Sequence, residues 1–232
     1  MAVLGERRSY RDCGQQWSNV KQLPTAIGIW LLSFVACVAA VILSFEYADL
    51  AIASYHPHLA AHLSTLGDDF GGSIILSGEA IVLACLAVVR LVNGRLPPIA
   101  EALALACLAS ICAYTIDSEV LKVYFGVPNP YQMTRGAKHT LNLWEGSPYS
   151  SFPSGHMALA GAFAGVFMRL YRTSIWALSL ALLLSCILLI IGGWHFLSDV
   201  IAGTYFGVSV GLAVAETLGL HFKEGRTTDA SL

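Results

Sequence analysis

Charged residues are scarce in this chain. Only 12% of its 232 residues are Asp, Glu, Lys or Arg, whereas about a quarter of an ordinary soluble domain is charged. Thirteen basic residues against fifteen acidic ones give a net charge of −2, so the chain lacks the basic excess that binds a nucleic-acid backbone. Nucleic acid is therefore excluded as a partner. With 56% hydrophobic residues and a mean hydropathy of +0.66, a soluble enzyme is also disfavoured, and the lipid bilayer becomes the expected surroundings.

A disulfide framework is also disfavoured, although the chain contains six cysteines. All except Cys13, near the N-terminus, lie inside apolar runs, where a small apolar side chain packs well. The sequence therefore predicts packing cysteines. Those in the apolar runs are Cys37, Cys85, Cys107, Cys112 and Cys186.

Six apolar segments are candidates for membrane spans. A helix needs about 20 apolar residues to cross about 30 Å of hydrocarbon, because each residue adds about 1.5 Å. The fourth segment is short for a span. The sequence thus predicts an all-α fold, a polytopic bundle of six transmembrane helices with short loops. The predicted spans are residues 23–45, 74–92, 99–124, 156–171, 174–194 and 199–220.

The positive charges predict the orientation of these spans. Lys and Arg in short loops stay on the cytoplasmic side, and ten of the thirteen would lie there if both termini are cytoplasmic. Residues 1–22 then form a cytoplasmic segment that does not resemble a cleaved signal peptide, residues 23–220 one membrane domain, and residues 221–232 a cytoplasmic tail. The loop near residues 122–153, with Lys122, Arg135 and Lys138, would face the periplasm or exterior of a bacterial inner membrane.

Residues 46–72 would face the same outer side. They contain no Lys or Arg, and the sequence predicts an interfacial helix between the first two spans. His56, His58 and His62 raise the alternative of a metal site, but no cysteine or carboxylate completes a ligand set at a useful spacing. A solvated face is the favoured interpretation, and no metal is predicted.

Ionisable residues at membrane depth need a partner or a function. Glu79 and Glu101 are expected to pack or form hydrogen bonds, with catalysis as the alternative. Glu119 and Lys122 have the i,i+3 spacing of an ion pair near the outer end of the third span.

Two motifs combine polar residues with a predicted helix start. In residues 151–156, SFPSGH, Pro153 fits a first helical turn and Ser151 is a candidate cap, so free N–H groups would point outward where a phosphate can bind. In residues 192–199, GGWHFLSD, a helical conformation would place Asp199 one turn from His195. Such a carboxylate fixes the imidazole tautomer and raises the basicity of the other nitrogen, as a nucleophile or base requires.

Together, these motifs resemble signature blocks of the type 2 phosphatidic acid phosphatase superfamily, the integral membrane lipid phosphatases. Phe152–His156 resembles the second block, and His195–Gly203, forty residues after it, resembles the third. The first block of the family reads Lys, six residues, Arg-Pro; here Lys122 is followed, six residues later, by Asn129 and Pro130.

The resemblance implies a metal-independent double displacement with no cofactor, acting on a membrane lipid phosphate. His195 is similar to the nucleophile that forms a phosphohistidine, Asp199 orients it, and His156 is the general acid. Ser154 and the backbone near Gly155 would bind the phosphate oxygens, and Lys122 would neutralise their charge.

Two arginines of the family pattern are absent. Asn129 keeps hydrogen-bond donors without a charge and is still expected to bind the substrate, whereas Leu189, where the third block has its arginine, keeps nothing polar. Neither replaces a guanidinium that holds phosphate bidentately. Folding of Arg135 or Lys138 into the pocket is the alternative source of charge, although a solvated loop charge is favoured.

Three functions follow. The first is hydrolysis of a lipid phosphomonoester or pyrophosphate at the outer membrane face. The second is a lipid phosphotransferase acting on a phosphodiester headgroup, similar to the sphingomyelin-synthase-like branch of the superfamily. The third is a degenerate, non-catalytic lipid-phosphate binder, against which the joint presence of His156, His195 and Asp199 argues.

Overall fold

The computed structural model describes residues 27–54, 71–134 and 136–229. Within these ranges every regular element is helical, so the predicted all-α fold is confirmed. The predicted interfacial helix falls mostly on residues 55–70, which lie outside the described residues together with His56, His58 and His62. Arg135 lies outside them as well.

Seven helices are labelled here in chain order. The first and third each contain a π-helical turn, at Ser44–Ala48 and Asp117–Leu121. The 3-10 turn Arg172–Ser174 precedes the sixth. Their bounds are α1 Ile27–Ser54, α2 Gly71–Asn93, α3 Pro98–Ile116 continued by the π turn and Lys122–Phe125, α4 Pro130–Thr134, α5 Gly155–Leu170, α6 Ile175–Ile191 and α7 Leu197–Asp229.

Five of these helices, α1, α2, α3, α6 and α7, are long and apolar enough to cross a membrane, and α5 is a shorter apolar helix of 16 residues. Their outer surfaces are apolar. Leu32, Leu91 and Trp176 are 71%, 84% and 85% exposed, as is suitable for side chains that contact hydrocarbon. The helices also satisfy their own backbone hydrogen bonds, which hydrocarbon cannot do. The chain is therefore an integral membrane protein built as a helical bundle.

Several predicted span boundaries are wrong. The first helix continues nine residues past Phe45 to Ser54, so that Glu46 and Asp49 belong to the span instead of the outer segment. The continuation has a physical reason, since Asp49 is buried and bonded to another helix. The sixth helix ends at Ile191, before the predicted residue 194. The last helix runs from Leu197 to Asp229, but its apolar candidate span is Leu197–Leu218, close to the predicted residues 199–220.

The chain divides into two compact units, residues 1–40 and 41–232. In the first unit, the described residues 27–40 are helical, and the ring of Trp30 stacks on that of Phe34 with centroids 6.2 Å apart. The second unit contains the remainder of α1 from Val41 onward, helices α2 to α7, and all of the candidate site residues predicted above, apart from those outside the described ranges.

Helices α5 and α7 share the most extensive contact of the second unit. The contact depends on glycines four residues apart on one face of α7, namely Gly203, Gly207 and Gly211. A Cβ added at Gly207 would lie 2.2 Å from the carbonyl oxygen of Ala158, a distance that no side chain tolerates. Small residues of this kind let two membrane helices approach closely. The N-terminal ends of α5 and α7 are therefore held side by side.

We expect Gly207→Ala to separate these two helices. The added methyl group clashes with rigid backbone, and overpacking of this kind costs about 1–3 kcal/mol. Thermal unfolding in detergent should therefore show a midpoint lower by roughly 3–10 °C for a chain of this length. Gly28→Ala is the matched control, because nothing lies within 4 Å of the Cβ position at Gly28. Equal midpoints for the two variants would contradict the packing role of Gly207.

Candidate active site

The first part of the site is the N-terminal end of α5. The helix begins at Gly155, and its N-cap is Ser154, whose side chain accepts a hydrogen bond from the Met157 N–H at 3.4 Å. The prediction that Ser151 caps this helix and that Pro153 occupies its first turn is wrong, because both residues precede the cap. The N–H groups of a first turn have no partner inside the helix, so this end remains suited to an anion.

The second part of the site is the turn before α7. His195 lies in this turn, outside the helix, so the predicted helical spacing between His195 and Asp199 is not the reason for their approach. Asp199, in the first turn of α7, reaches back: its Oδ2 accepts the Phe196 N–H at 2.7 Å and lies 3.4 Å from His195 Nδ1. Asp199 is fully buried and His195 is 7% exposed. The carboxylate thus faces the imidazole in a site shielded from solvent.

Ser151 completes this arrangement. Its hydroxyl donates to Asp199 Oδ2, and its Oγ lies 3.3 Å from His195 Nδ1. A hydroxyl has one hydrogen, so Ser151 can only accept from the imidazole, and Nδ1 carries the proton in this network. The assignment leaves Nε2 of His195 with its lone pair. A histidine in this tautomer is able to act as a nucleophile through Nε2.

His156 is brought beside this pair by the contact between α5 and α7. The centroids of its ring and of the His195 ring are 5.8 Å apart, with an interplanar angle of 70°. A backbone hydrogen bond of 3.1 Å from the Ser154 N–H to the Asp199 carbonyl fixes the two helix starts to each other. The structure therefore brings together four of the predicted site residues: Ser154, His156, His195 and Asp199.

Gly155 and Lys122 each lie near the same acidic residue, Asp117. A Cβ at Gly155 would lie 3.0 Å from Oδ2 of Asp117, so this carboxylate is against the start of α5. Asp117 is fully buried, and neither of its carboxylate oxygens has a hydrogen-bond partner among the described residues. Lys122 is 9% exposed and close enough to Asp117 and His156 for their charges to interact. The positive charge of Lys122 thus has an acidic counterpart nearby.

Asn129 lies at the edge of the site, but its side chain has a structural task. Its Oδ1 accepts the Gln132 N–H at 2.8 Å, and its own N–H donates to Gln132 Oε1 at 3.0 Å. This is the capping of the short helix α4. The segment approaches the site through Val127, whose carbonyl oxygen accepts the Ser151 N–H at 2.7 Å. Asn129 therefore lies near the site, but its side-chain oxygen Oδ1 already accepts the hydrogen bond from Gln132.

The other replaced arginine position is filled by packing. Leu189 is buried in an apolar cluster with Met157 and Val200, so the chain has closed this space with hydrocarbon. Lys138 is exposed and does not fold into the pocket. The expected ion pair between Glu119 and Lys122 is not formed either, because Glu119 is exposed and Lys122 is buried.

Sequence reasoning missed the contribution of Ser151 and Asp117. Ser151 had a visible signal, since it opens the SFPSGH motif, but its contact with Asp199 spans 48 residues of sequence. Asp117 is five residues before Lys122, and its position against Gly155 depends on the packing of α3 on α5. Within the described ranges, no three His, Cys, Asp or Glu side chains are grouped so that they could hold a metal ion.

A comparison with protein families decides to which family these motifs belong. The family model described as PAP2 superfamily matches residues 101–222, more than half of the chain. The chain belongs to the PAP2 superfamily. This match contains the candidate residues of α3, α5 and α7, from Lys122 to Asp199.

One curated relative of this PAP2 superfamily member is a lipid A 1-phosphatase of Rhizobium johnstonii. The two sequences are 29% identical over 215 residues, an alignment that covers 84% of each chain. No solved structure matches the chain. The family and the relative together support a membrane lipid phosphatase in the general sense.

Proposed function

We propose that this protein hydrolyses a lipid phosphomonoester or pyrophosphate through a phosphohistidine on His195, at the outer face of a bacterial inner membrane. The observation that carries the proposal is the hydrogen-bond network in which Ser151 and Asp199 hold Nδ1 of His195. It leaves Nε2 available beside the N-terminal end of α5, where phosphate oxygens can bind.

In the first step, the lone pair of His195 Nε2 forms a bond to phosphorus. The bond between phosphorus and the lipid oxygen breaks, and its electrons go to that oxygen, which takes a proton from His156 as the general acid. Asp199 stabilises the positive charge that develops on the His195 ring. Ser154, the backbone N–H groups near Gly155, and Lys122 bind the phosphate oxygens.

In the second step, water attacks phosphorus in the phosphohistidine. His156, now neutral, accepts the proton of the water, and the bond between phosphorus and Nε2 breaks. Inorganic phosphate leaves, and His195 regains its lone pair. Each histidine thus returns to its starting protonation state, so the cycle needs no metal and no other co-reactant.

An apolar cavity supports a substrate with hydrocarbon chains. The cavity has a volume of about 560 Å³ and is lined by residues of α2, α3, α5 and α6. Leu159 and Ala160, which contribute to its wall, lie one turn after His156 on α5. A lipid whose headgroup is bound at the start of α5 would therefore have a place for a chain within the span.

A lipid panel in detergent micelles tests the proposed function. The panel contains phosphatidic acid, phosphatidylglycerophosphate, a polyprenyl pyrophosphate and lipid A, the last because the relative is named for it. We expect free phosphate from at least one of them. If none releases phosphate and none loses a headgroup, while the protein still binds one of these lipids, the non-catalytic binder replaces the proposed function.

The second candidate, transfer of a phosphodiester headgroup, is favoured by the charges of the site. Asn129 is uncharged and occupied by the α4 cap, Leu189 is packed in an apolar cluster, and Asp117 lies near Lys122. Such a pocket suits a monoanion better than a dianion. With a headgroup-labelled phosphodiester lipid and an alcohol acceptor added to the panel, transfer of the label to the alcohol without free phosphate would favour this function.

Activity should survive strong chelation. Because the proposed nucleophile and acid are both histidines, removal of divalent cations with EDTA should change the initial rate by less than about twofold. Readdition of Mg²⁺, Mn²⁺ or Zn²⁺ to the dialysed protein is the control. Complete loss of phosphate release in EDTA with rescue by one of these ions would replace the histidine mechanism with a metal-assisted one.

The proposed orientation predicts where an introduced cysteine reacts. In a background with the native cysteines replaced, Ser147→Cys, on the exposed loop before α5, should react with an impermeant maleimide added to intact spheroplasts. The matched control is Asn93→Cys. Asn93 is exposed at the C-terminal end of α2, which the proposed topology puts on the cytoplasmic side, so this cysteine should react only after the membrane is broken. The reverse pattern of labelling would invert the topology.

A further inference from the structure

A second buried carboxylate contacts the start of α7. Asp49, on α1, is 1% exposed, and its Oδ1 accepts the backbone N–H of Ser198 at 3.0 Å. Its other carboxylate oxygen accepts the hydroxyl of the same serine. Because a carboxylate at a helix N-terminus satisfies free N–H groups and complements the helix dipole, Asp49 acts as a cap that another helix supplies to α7.

His139 closes this contact from the outer loop. Its Nε2 lies 3.4 Å from Asp49 Oδ2, and its ring is 3% exposed. The ring stacks on Phe45 with centroids 4.1 Å apart and meets the edge of Phe196 at 4.4 Å. We call Phe45, Asp49, His139, Phe196 and Ser198 the Asp49 cluster.

The Asp49 cluster contacts the proposed catalytic pair through the backbone. Ser198 directly precedes Asp199, and Phe196 directly follows His195. The Phe196 N–H also donates to Asp199 Oδ2 at 2.7 Å. The first turn of α7 is thus held at two consecutive residues, Ser198 by Asp49 and Asp199 by Ser151, so that this turn cannot rotate without breaking one set of bonds.

A buried carboxylate is a costly way to join two helices. Taking a charge out of water costs several kcal/mol unless hydrogen bonds compensate it, and apolar residues of similar volume would serve stability as well. Directional hydrogen bonds, in contrast to apolar contacts, fix an orientation. The use of Asp49 therefore suits a function in orientation more than one in stability.

We propose that Asp49 is a positioning residue, which fixes the first turn of α7 so that Asp199 meets Nδ1 of His195. The proposal rests on the proposed function, in which His195 is the nucleophile. Asp49 touches neither His195 nor Asp199 directly; its effect passes through Ser198. His139 and Phe45 shield the carboxylate from water and keep its bonds to Ser198 strong.

Kinetics of Asp49→Ala and Asp49→Asn test the proposal. We expect kcat for phosphate release to fall about 10–100-fold in Asp49→Ala while KM changes less than about threefold, because a misplaced catalytic group costs rate. Asp49→Asn keeps an acceptor for the Ser198 N–H and should recover part of the rate. Glu46→Ala, exposed one turn earlier on α1, is the matched control and should equal the native protein.

A double-mutant cycle with Asp199 separates positioning from a merely structural effect. If Asp49 acts through Asp199, the loss caused by Asp49→Ala should shrink to about threefold or less in an Asp199→Asn background. An equal fold-loss in both backgrounds would overturn the proposal. So would a rise in KM with unchanged kcat.

A measurement without turnover keeps this test independent of the proposed function. In protein labelled with ¹⁵N-histidine, the Nδ1–H proton of His195, assigned by its absence in His195→Ala, should be observed in the native protein and in Glu46→Ala. We expect this resonance to shift or broaden in Asp49→Ala. An unchanged resonance would overturn the positioning role, whereas failure of the lipid panel alone would overturn only the proposed function.

Discussion

His195→Ala is expected to reduce phosphate release by at least about 10³-fold, because removal of a nucleophile leaves only binding and charge stabilisation. The same change should abolish labelling of the protein by phosphate from a ³²P-labelled lipid. The measurement is a rapid quench followed by isolation of the denatured protein, in which phosphohistidine is recognised by its lability in acid. Acid-labile phosphate on the His195→Ala protein would remove His195 from the role of nucleophile.

Two further variants make this result specific. Asp199→Asn should slow turnover by about 10²–10⁴-fold while some labelling remains, because an amide no longer selects the Nδ1–H tautomer. His156→Ala should slow formation of the intermediate most for lipids with poor leaving groups, since these need the general acid. Glu119→Gln, on an exposed face of α3, is the control and should label and turn over normally.

Asn129→Arg is expected to change the preference of the site for substrate charge. A phosphomonoester near pH 7 carries close to two negative charges, and each uncompensated charge in a partly desolvated pocket costs several kcal/mol. The added guanidinium should raise kcat/KM for a short-chain phosphatidic acid relative to a phosphodiester lipid by about tenfold or more, since 1.4 kcal/mol corresponds to a factor of ten. Initial rates on the two lipids measure the ratio.

The control for this variant accounts for the cap of α4. Because Asn129 caps that helix, replacement by a residue that does not cap, such as Arg or Gln, costs about 1 kcal/mol of local stability. Asn129→Gln removes the cap geometry without adding a charge, so it should leave the substrate ratio unchanged. Lys138→Ala should be silent, since Lys138 is exposed, and Arg135→Ala should matter only if that loop supplies charge. Efficient native turnover of phosphatidic acid, unaffected by Asn129→Arg, would contradict the charge argument.

The helical bundle was predictable because hydrocarbon imposes a simple rule. A run of apolar residues such as residues 74–92 must be a helix in lipid, where the backbone has no other partner for its hydrogen bonds. The ends of the helices were less predictable. α1 extends to Ser54 because Asp49 bonds to Ser198, a contact across 149 residues that no local pattern contains.

The candidate site was predictable as a set of residues but not as a geometry. Both histidines and Asp199 belong to two short motifs, and the hydrogen-bonding capacity of those side chains follows from their chemistry. The sequence suggested a helical approach of Asp199 to His195 and a cap at Ser151. Both were wrong, because His195 lies in a turn and Ser151 hydrogen-bonds to Asp199 instead of capping α5.

By itself, the sequence determined the membrane environment, the helical class and the residue types at the site, since each depends on local composition or on a short motif. Only the tertiary structure decided which groups meet. The glycine face of α7 sets how closely α5 approaches, and this approach puts His156 beside His195. Asp117 of α3 lies against the start of α5, and Asp49 of α1 bonds to the start of α7. The neighbours of a buried carboxylate are set by the packing of the helices and are therefore distant from it in sequence.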